Sequence, residues 1–185
     1  MSPVDRAALD RFLASVERRA LAMAEYALGQ REDALDAVQE AMLTLVRRYA
    51  TRPPDEWAPL FYRVLESRIA DLRRRRRVRE RWRAWFGGGR EEDANEDPWT
   101  QIADPAAADP ALAVDDARFG GALDAALKAL PLRQQQCFLL RAWEGLDVAA
   151  TARAMGCSEG SVKTHYSRAT AALRARLGPH WSGAE

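Results

Sequence analysis

The sequence is short of the residues that build covalent or metal-held frameworks. It has two cysteines, Cys137 and Cys157, and two histidines, His165 and His180, in 185 residues. Two isolated cysteines form neither a disulfide lattice nor the closely spaced pairs that hold zinc, so no metal site is expected. The histidines lack acidic or thiol partners at useful spacing, and no Ser-His-Asp or phosphate-loop pattern is present. An enzyme is therefore not expected, nor a cofactor. Strand signals are nearly missing as well. No run approaches the roughly 18 apolar residues that cross a bilayer. The opening stretch contains Asp5 and Asp10 and has no apolar signal-peptide centre. These absences predict a cytoplasmic chain with no membrane partner.

What is present is mostly alanine, leucine, arginine and glutamate, with apolar residues recurring at helical spacing. The hydrophobic share of 48% is enough for packed cores. The spacing predicts helices over 6–28, 31–50, 56–86, 118–130, 132–144, 147–155 and 159–177. Gly87-Gly88-Gly89 ends the third, and Pro98, Pro105 and Pro110 keep the next segment from forming one more helix. The expected fold class is all-α: two small helical domains, 1–86 and 118–178, joined by a flexible acidic linker over 87–117, with a tail over 179–185.

Net charge is only +1, but it is segregated. Arg73 to Arg83 is arginine broken only by Val78, Glu80 and Trp82, whereas Glu91 to Asp116 carries nine carboxylates and no base. The first block suits a polyanion, and the second suits self-avoidance or mimicry of one. Trp82, Trp85 and Phe86 come after the arginines at i, i+3 and i+4, a spacing that favours packing over base stacking.

The most informative C-terminal stretch is Gly145 to Ala169. Asp147 is placed to cap a short helix with an apolar side of Val148, Ala152 and Met155. Gly156 supplies a tight turn and Ser158 caps the next helix. There Val162, Tyr166, Ala169 and Leu173 share one face, and Ser161, Lys163, Thr164, His165, Ser167 and Arg168 are assigned to the polar side. Such a helix suits the DNA major groove. A helical hairpin with a solvated polar face is the plainer alternative. Cys137, in an apolar stretch, reads as a small buried hydrophobe.

The stretch before it resembles region 4 of the sigma-70 family, the promoter-recognition subunits of bacterial RNA polymerase. Leu130-Pro131, Phe138-Leu139-Leu140 and Glu144-Gly145 keep the family's order, with Arg141 and Ala142 where an acidic residue is more usual. The resemblance implies that the helix-turn-helix reads the −35 promoter element.

On the second predicted helix, Val38, Met42, Leu45 and Tyr49 form an inward stripe, and Asp33, Asp36 and Glu40 lie on the opposite side. That face could serve solubility or dock a basic partner. Asp33-Ala-Leu-Asp-Ala-Val-Gln-Glu40 resembles region 2.2 of the extracytoplasmic-function (ECF, group IV) sigma factors. The resemblance implies that Asp33, Asp36, Gln39 and Glu40 bind the polymerase β′ coiled coil, with Leu35 in place of a usual glutamate. The likeness continues through Tyr62, Arg63, Asp71 and the arginine run, with Ser67 where asparagine is usual. Trp57, Leu60, Val64 and Leu65 read as core.

By this resemblance Arg63, Ser67 and Arg68 meet the opened −10 strand, while Arg73, Arg74, Arg75, Arg76 and Arg77 hold phosphates, a salt-sensitive contact without sequence information. It further implies core RNA polymerase (β′ coiled coil and β flap) and promoter DNA as partners, an anti-sigma factor as a further candidate, and a linker passing along the RNA exit path. An inert, charge-extended spacer accounts for the linker equally well. The chain is too short for a region 1.1 or a full region 3 domain. The expected function is a sigma factor; the alternative is a two-domain helix-turn-helix regulator with an N-terminal sensor, which needs neither the carboxylate face nor the arginine run.

Overall fold

The computed structural model describes residues 6–85 and 120–178. Helices α1 (Arg6–Leu28), α2 (Arg31–Tyr49) and α3 (Pro54–Trp85) form an N-terminal three-helix bundle. A helix over 120–128 (α4), α5 (Leu132–Phe138), α6 (Val148–Met155) and α7 (Glu159–Leu177) form the C-terminal unit. The all-helical expectation is met. The predicted linker, the tail and Phe86 lie outside the described residues.

Gly29 turns the chain between α1 and α2 at φ 72°, a conformation in which a side chain is strained. Across that corner Arg31 Nη1 donates to the buried Glu25 carboxylate at 2.8 Å. α2 buries Ala34, Ala37, Val38, Ala41 and Leu45. Its three alanines let neighbouring helices approach closely, so the inward face turns toward them and leaves Met42 and Tyr49 half-buried. α3 starts at Pro54, two residues ahead of the predicted 56. Proline suits a first helical turn because its missing N–H has no helical acceptor there. Trp57, Phe61, Tyr62, Leu65 and Ile69 bury one side of α3, and Phe12 meets Phe61 edge-on at 6.2 Å.

In the C-terminal unit, Gln135 Nε2 donates to the Leu127 carbonyl at 2.9 Å and ties α5 to α4. α5 then widens into a π-helical turn over Leu139–Trp143, in which the Glu144 amide reaches back to the Leu139 carbonyl at 3.0 Å. The wider turn accommodates the fully buried Leu140 and 2%-exposed Leu139. Cys137 is buried as expected, its thiol 3.4 Å from the Val162 carbonyl and pushed up to about 11 chiefly by burial.

The halves do not stand apart. α3 packs against α6, and a continuous set of buried apolar side chains runs from Leu9 and Leu45 through Ile69 to Met155 and Val162.

Candidate nucleic-acid interface

The helix-turn-helix is built by local interactions. The Asp147 carboxylate accepts from the Ala150 amide at 2.6 Å and starts α6. Gly156 ends α6 in the left-handed region at φ 61°, and the Cys157 amide closes onto the Ala152 carbonyl at 3.1 Å. Ser158 Oγ then accepts from the Ser161 amide at 3.1 Å and starts α7. Each cap satisfies a helix-terminal amide that would otherwise face solvent unpaired.

Val162, Ala169 and Leu173 are wholly buried along α7. Tyr166, half-buried, stacks on Phe138 with ring centroids 6.0 Å apart. The Arg141 guanidinium lies 5.7 Å from the Tyr166 ring centroid and donates to the Leu146 carbonyl. Arg141 thus props the back of α7 at the place where the motif departs from an acidic residue. On the other side Lys163, Thr164, Ser167 and Arg168 are exposed, while Ser161 and His165 are half-buried. Thr164 Oγ1 donates to the Gly160 carbonyl at 3.0 Å, so its hydroxyl is engaged along the helix. Lys163, Ser167 and Arg168 are left as the long or polar groups projecting from a rigid, capped helix.

On α3, Arg63 and Ser67 are exposed one turn apart, and Trp57, Tyr62 and Leu65 face the core. Leu60 and Val64 are half-buried. The Tyr62 phenol is held protonated, first by burial and then by the nearby Glu144 carboxylate. Arg68 does not point freely outward: its Nη2 pairs with Glu40 of α2 at 2.7 Å. A candidate strand-binding arginine is therefore paired with a candidate polymerase-docking carboxylate. Asp36 and Gln39 are exposed, Asp33 is half-buried, and Leu35 stands 39% exposed beside them.

The arginine run divides. Arg73 donates to the Ala27 carbonyl and Arg76 Nη1 to the Leu28 carbonyl at 3.2 Å, so both satisfy the C-terminal end of α1. Cations there also meet the negative end of the helix dipole. Arg74, Arg75 and Arg77 are exposed, Arg74 with Asp71 at 3.5 Å. α3 continues past the α1 terminus, and its last turns carry Trp82 and Trp85 at 62% and 86% exposure. The packing expected of these tryptophans is thus slight, because the helix has outrun the bundle.

Sequence reasoning missed the polar contacts between the halves. Arg19 Nε meets the buried Glu144 carboxylate at 2.5 Å, an interaction that raises the Arg19 pKa. Arg63 Nη1 donates to the Arg153 carbonyl at 3.1 Å. Arg133, whose Nη1 also donates to the Met155 carbonyl within the C-terminal unit at 3.2 Å, lies 3.9 Å from Glu66 of α3. No periodicity marks such pairs; they join residues as far as 90 and 125 positions apart.

The arrangement offers polar and cationic faces on rigid helices. Among the described residues, no group of three or more His, Cys, Asp or Glu side chains is gathered to hold a metal, and no helix is long and apolar enough to cross a membrane.

Comparison with known proteins agrees with this geometry. The family model described as "Sigma-70, region 4" matches residues 120–173, the unit that contains the helix-turn-helix. The chain is 33% identical over 159 residues to the ECF RNA polymerase sigma factor BldN of Streptomyces coelicolor. That match covers 83% of this chain and 54% of the relative, so the chain spans about half of that protein's length. It is 30% identical over 152 residues to the RNA polymerase sigma-E factor of Streptomyces avermitilis, covering 78% of this chain and 73% of that one. The chain belongs to the ECF group of the sigma-70 family.

Among solved structures, it shares its fold with the sigma factor RpoE of Bartonella quintana, crystallised with the anti-sigma factor NepR. The TM-score is 0.63, with 21% identity, over 92% of this chain and 96% of that one.

Proposed function

We propose that this sigma factor binds core RNA polymerase and directs it to promoters, with residues 1–86 acting as region 2 and 118–178 as region 4. The observation that carries the reading is the capped helix-turn-helix in which α7 buries Val162, Ala169 and Leu173 and exposes Lys163, Ser167 and Arg168. In this reading Lys163, Ser167 and Arg168 meet the −35 duplex, helped by Ser161, Thr164 and His165 at the helix start. Arg63, Ser67 and Arg68 capture the opened −10 strand, and Arg74, Arg75 and Arg77 hold its phosphates. Arg73 and Arg76 serve chiefly to anchor α1. Bases inside an intact duplex cannot enter a protein surface without unstacking, so the −10 contact is to single-stranded DNA.

Polymerase docking falls to Asp33, Asp36, Gln39 and Glu40 on α2, against a basic surface of the β′ coiled coil, with region 4 reaching the β flap. An anti-sigma factor is a further partner in this proposal, since the similar RpoE was crystallised with one. In this reading the chain works in the cytoplasm, where core polymerase and promoter DNA are found.

Asp36 is the sharpest test of docking, because it is exposed, whereas Glu40 also holds Arg68. Asp36→Lys should leave the helical circular-dichroism spectrum intact and weaken competition for core polymerase by about tenfold, the effect of reversing one charge in a complementary interface. Undiminished competition by the variant would remove α2 from the docking surface.

A further inference from the structure

The last turns of α3 carry apolar side chains that have no role in the promoter contacts proposed above. Beyond Arg76, whose guanidinium still reaches the end of α1, every described side chain from Arg77 to Trp85 is exposed. Val78, Trp82 and Trp85 are 49%, 62% and 86% exposed. At 100° per residue they share an arc of about 60°. Arg74, Arg75 and Arg79 surround Val78 and Trp82, and these five side chains border a hollow of about 450 Å³. Glu80, the one carboxylate between Val78 and Trp85, lies on the opposite side of the helix and pairs with Arg76 at 3.1 Å. The ridge is thus an indole set among guanidiniums.

Charge and shape together favour an unpaired nucleic-acid strand as its occupant. Exposed guanidiniums attract a polyanion, and an indole takes a base of any sequence because every base has a π face. An acidic protein helix would meet the same charge, but helix recognition needs an apolar groove. A helix that has run past its bundle is a convex ridge without a second wall. An intact duplex keeps its bases stacked on one another, so it offers phosphates to the arginines and little to the indole. Position agrees as well. Ser67, Arg74, Val78 and Trp85 lie within about 40° of one another around α3, and Trp82 about 40° further. The side of α3 that carries the proposed −10 contact at Ser67 therefore continues to the ridge, and Trp82 stands about 22 Å further along the axis.

We propose that Val78 and Trp82 form a second single-strand site, in which the Trp82 indole stacks on an unpaired base while Arg74, Arg75 and Arg79 hold the neighbouring phosphates. The site rests on the −10 reading above for its place on the promoter, but not for the stacking itself. It gives no sequence choice; it lengthens the hold on an opened strand.

The test uses the full chain and an oligothymidylate of about 16 nucleotides, which forms no duplex and has no promoter sequence. Trp82→Ala should weaken binding about tenfold, the loss of one base stack, and leave the slope of log affinity against log salt unchanged. Trp82→Phe, which keeps a ring, should recover most of the loss. Arg79→Ala should instead lower the slope by about 0.7. An abasic strand of equal length should bind the parent and Trp82→Ala alike. Thermal melts of these variants should match the parent, since the changed side chains are exposed. Equal affinity of the parent and Trp82→Ala for oligothymidylate would overturn the stacking site, as would a parent chain that fails to bind it at low salt. If the unaffected variant then competed poorly for core polymerase, the ridge would belong to a protein contact. An equal loss on duplex DNA would overturn the choice of an unpaired strand. A parent chain that does not bind core polymerase would sink the sigma-factor reading, and the oligothymidylate series would still decide the ridge.

Discussion

A glutamate in solution ionises near 4.5, but Glu66 is raised to about 8 by its burial between α3 and the C-terminal unit. Arg133 at 3.9 Å and the side chain of Gln136, both from α5, pull the other way without overcoming it. Arg63 is the charged side chain one turn earlier on α3, and α6 presents Ala154 and Met155 to the same cavity. In the unfolded chain Glu66 loses its proton first, so folding takes up a proton between pH 4.5 and 8. Below that window both states are protonated and the group contributes nothing. Within it, rising pH removes up to about 1.4 kcal/mol of stability per unit, and above pH 8 the loss is complete. Glu66→Gln keeps the shape of the protonated form and removes the titration. The difference in melting temperature between Glu66→Gln and the parent should therefore grow in favour of the variant from pH 5 to pH 8. A calorimetric series with parallel curves would show that Glu66 is not desolvated by the C-terminal unit.

Within α3, adjacent arginines of identical chemistry acquire different tasks because the helix turns them by about 100° per residue. Arg73 and Arg76 face the α1 terminus, whereas Arg74, Arg75 and Arg77 face outward. Replacing the outward three by alanine should leave the melting temperature nearly unchanged. It should also reduce the slope of log affinity against log salt for single-stranded DNA by about 2, at roughly 0.7 per phosphate released. Replacing Arg73 or Arg76 should instead lower stability by about 1 kcal/mol each, through loss of a charged partner for helix-end carbonyls. Salt titrations and thermal melts on the two sets distinguish the roles. If both sets move both quantities equally, the division of the run is wrong.

At the scale of the whole molecule, one residue of the proposed DNA surface also joins the two halves. Arg63 donates to the Arg153 carbonyl across the two halves and is also assigned, in the proposed function, to the −10 strand. Its function is therefore best measured in holoenzyme, on promoter DNA. Holoenzyme carrying Arg63→Ala and Ser67→Ala should still form a closed promoter complex through α7, yet open it poorly. A pre-melted bubble should rescue it only partly, because strand capture is impaired as well as melting. Permanganate reactivity of thymines in the −10 region reads the outcome, and normal reactivity would place the strand contacts elsewhere, with the loop between α2 and α3 as the next candidate.

The sequence by itself determined the helices, most within two residues, because apolar periodicity, caps and glycines act over a turn or less. Asp147, Gly156 and Ser158 perform the local tasks their chemistry predicts, and the polar face of α7 is set by the buried stripe opposite it. It also sufficed to reveal family resemblance, since the motif residues stand in order along the chain. Tertiary structure alone decided which charges are free. Arg68 is paired with Glu40, Arg73 and Arg76 are spent on α1, and Arg63 is turned onto the other half. An arginine side chain is long and finds its partner within a few ångströms in space, whatever the separation along the chain. Periodicity tells which face of a helix a charge occupies, whereas only packing tells what stands opposite that face.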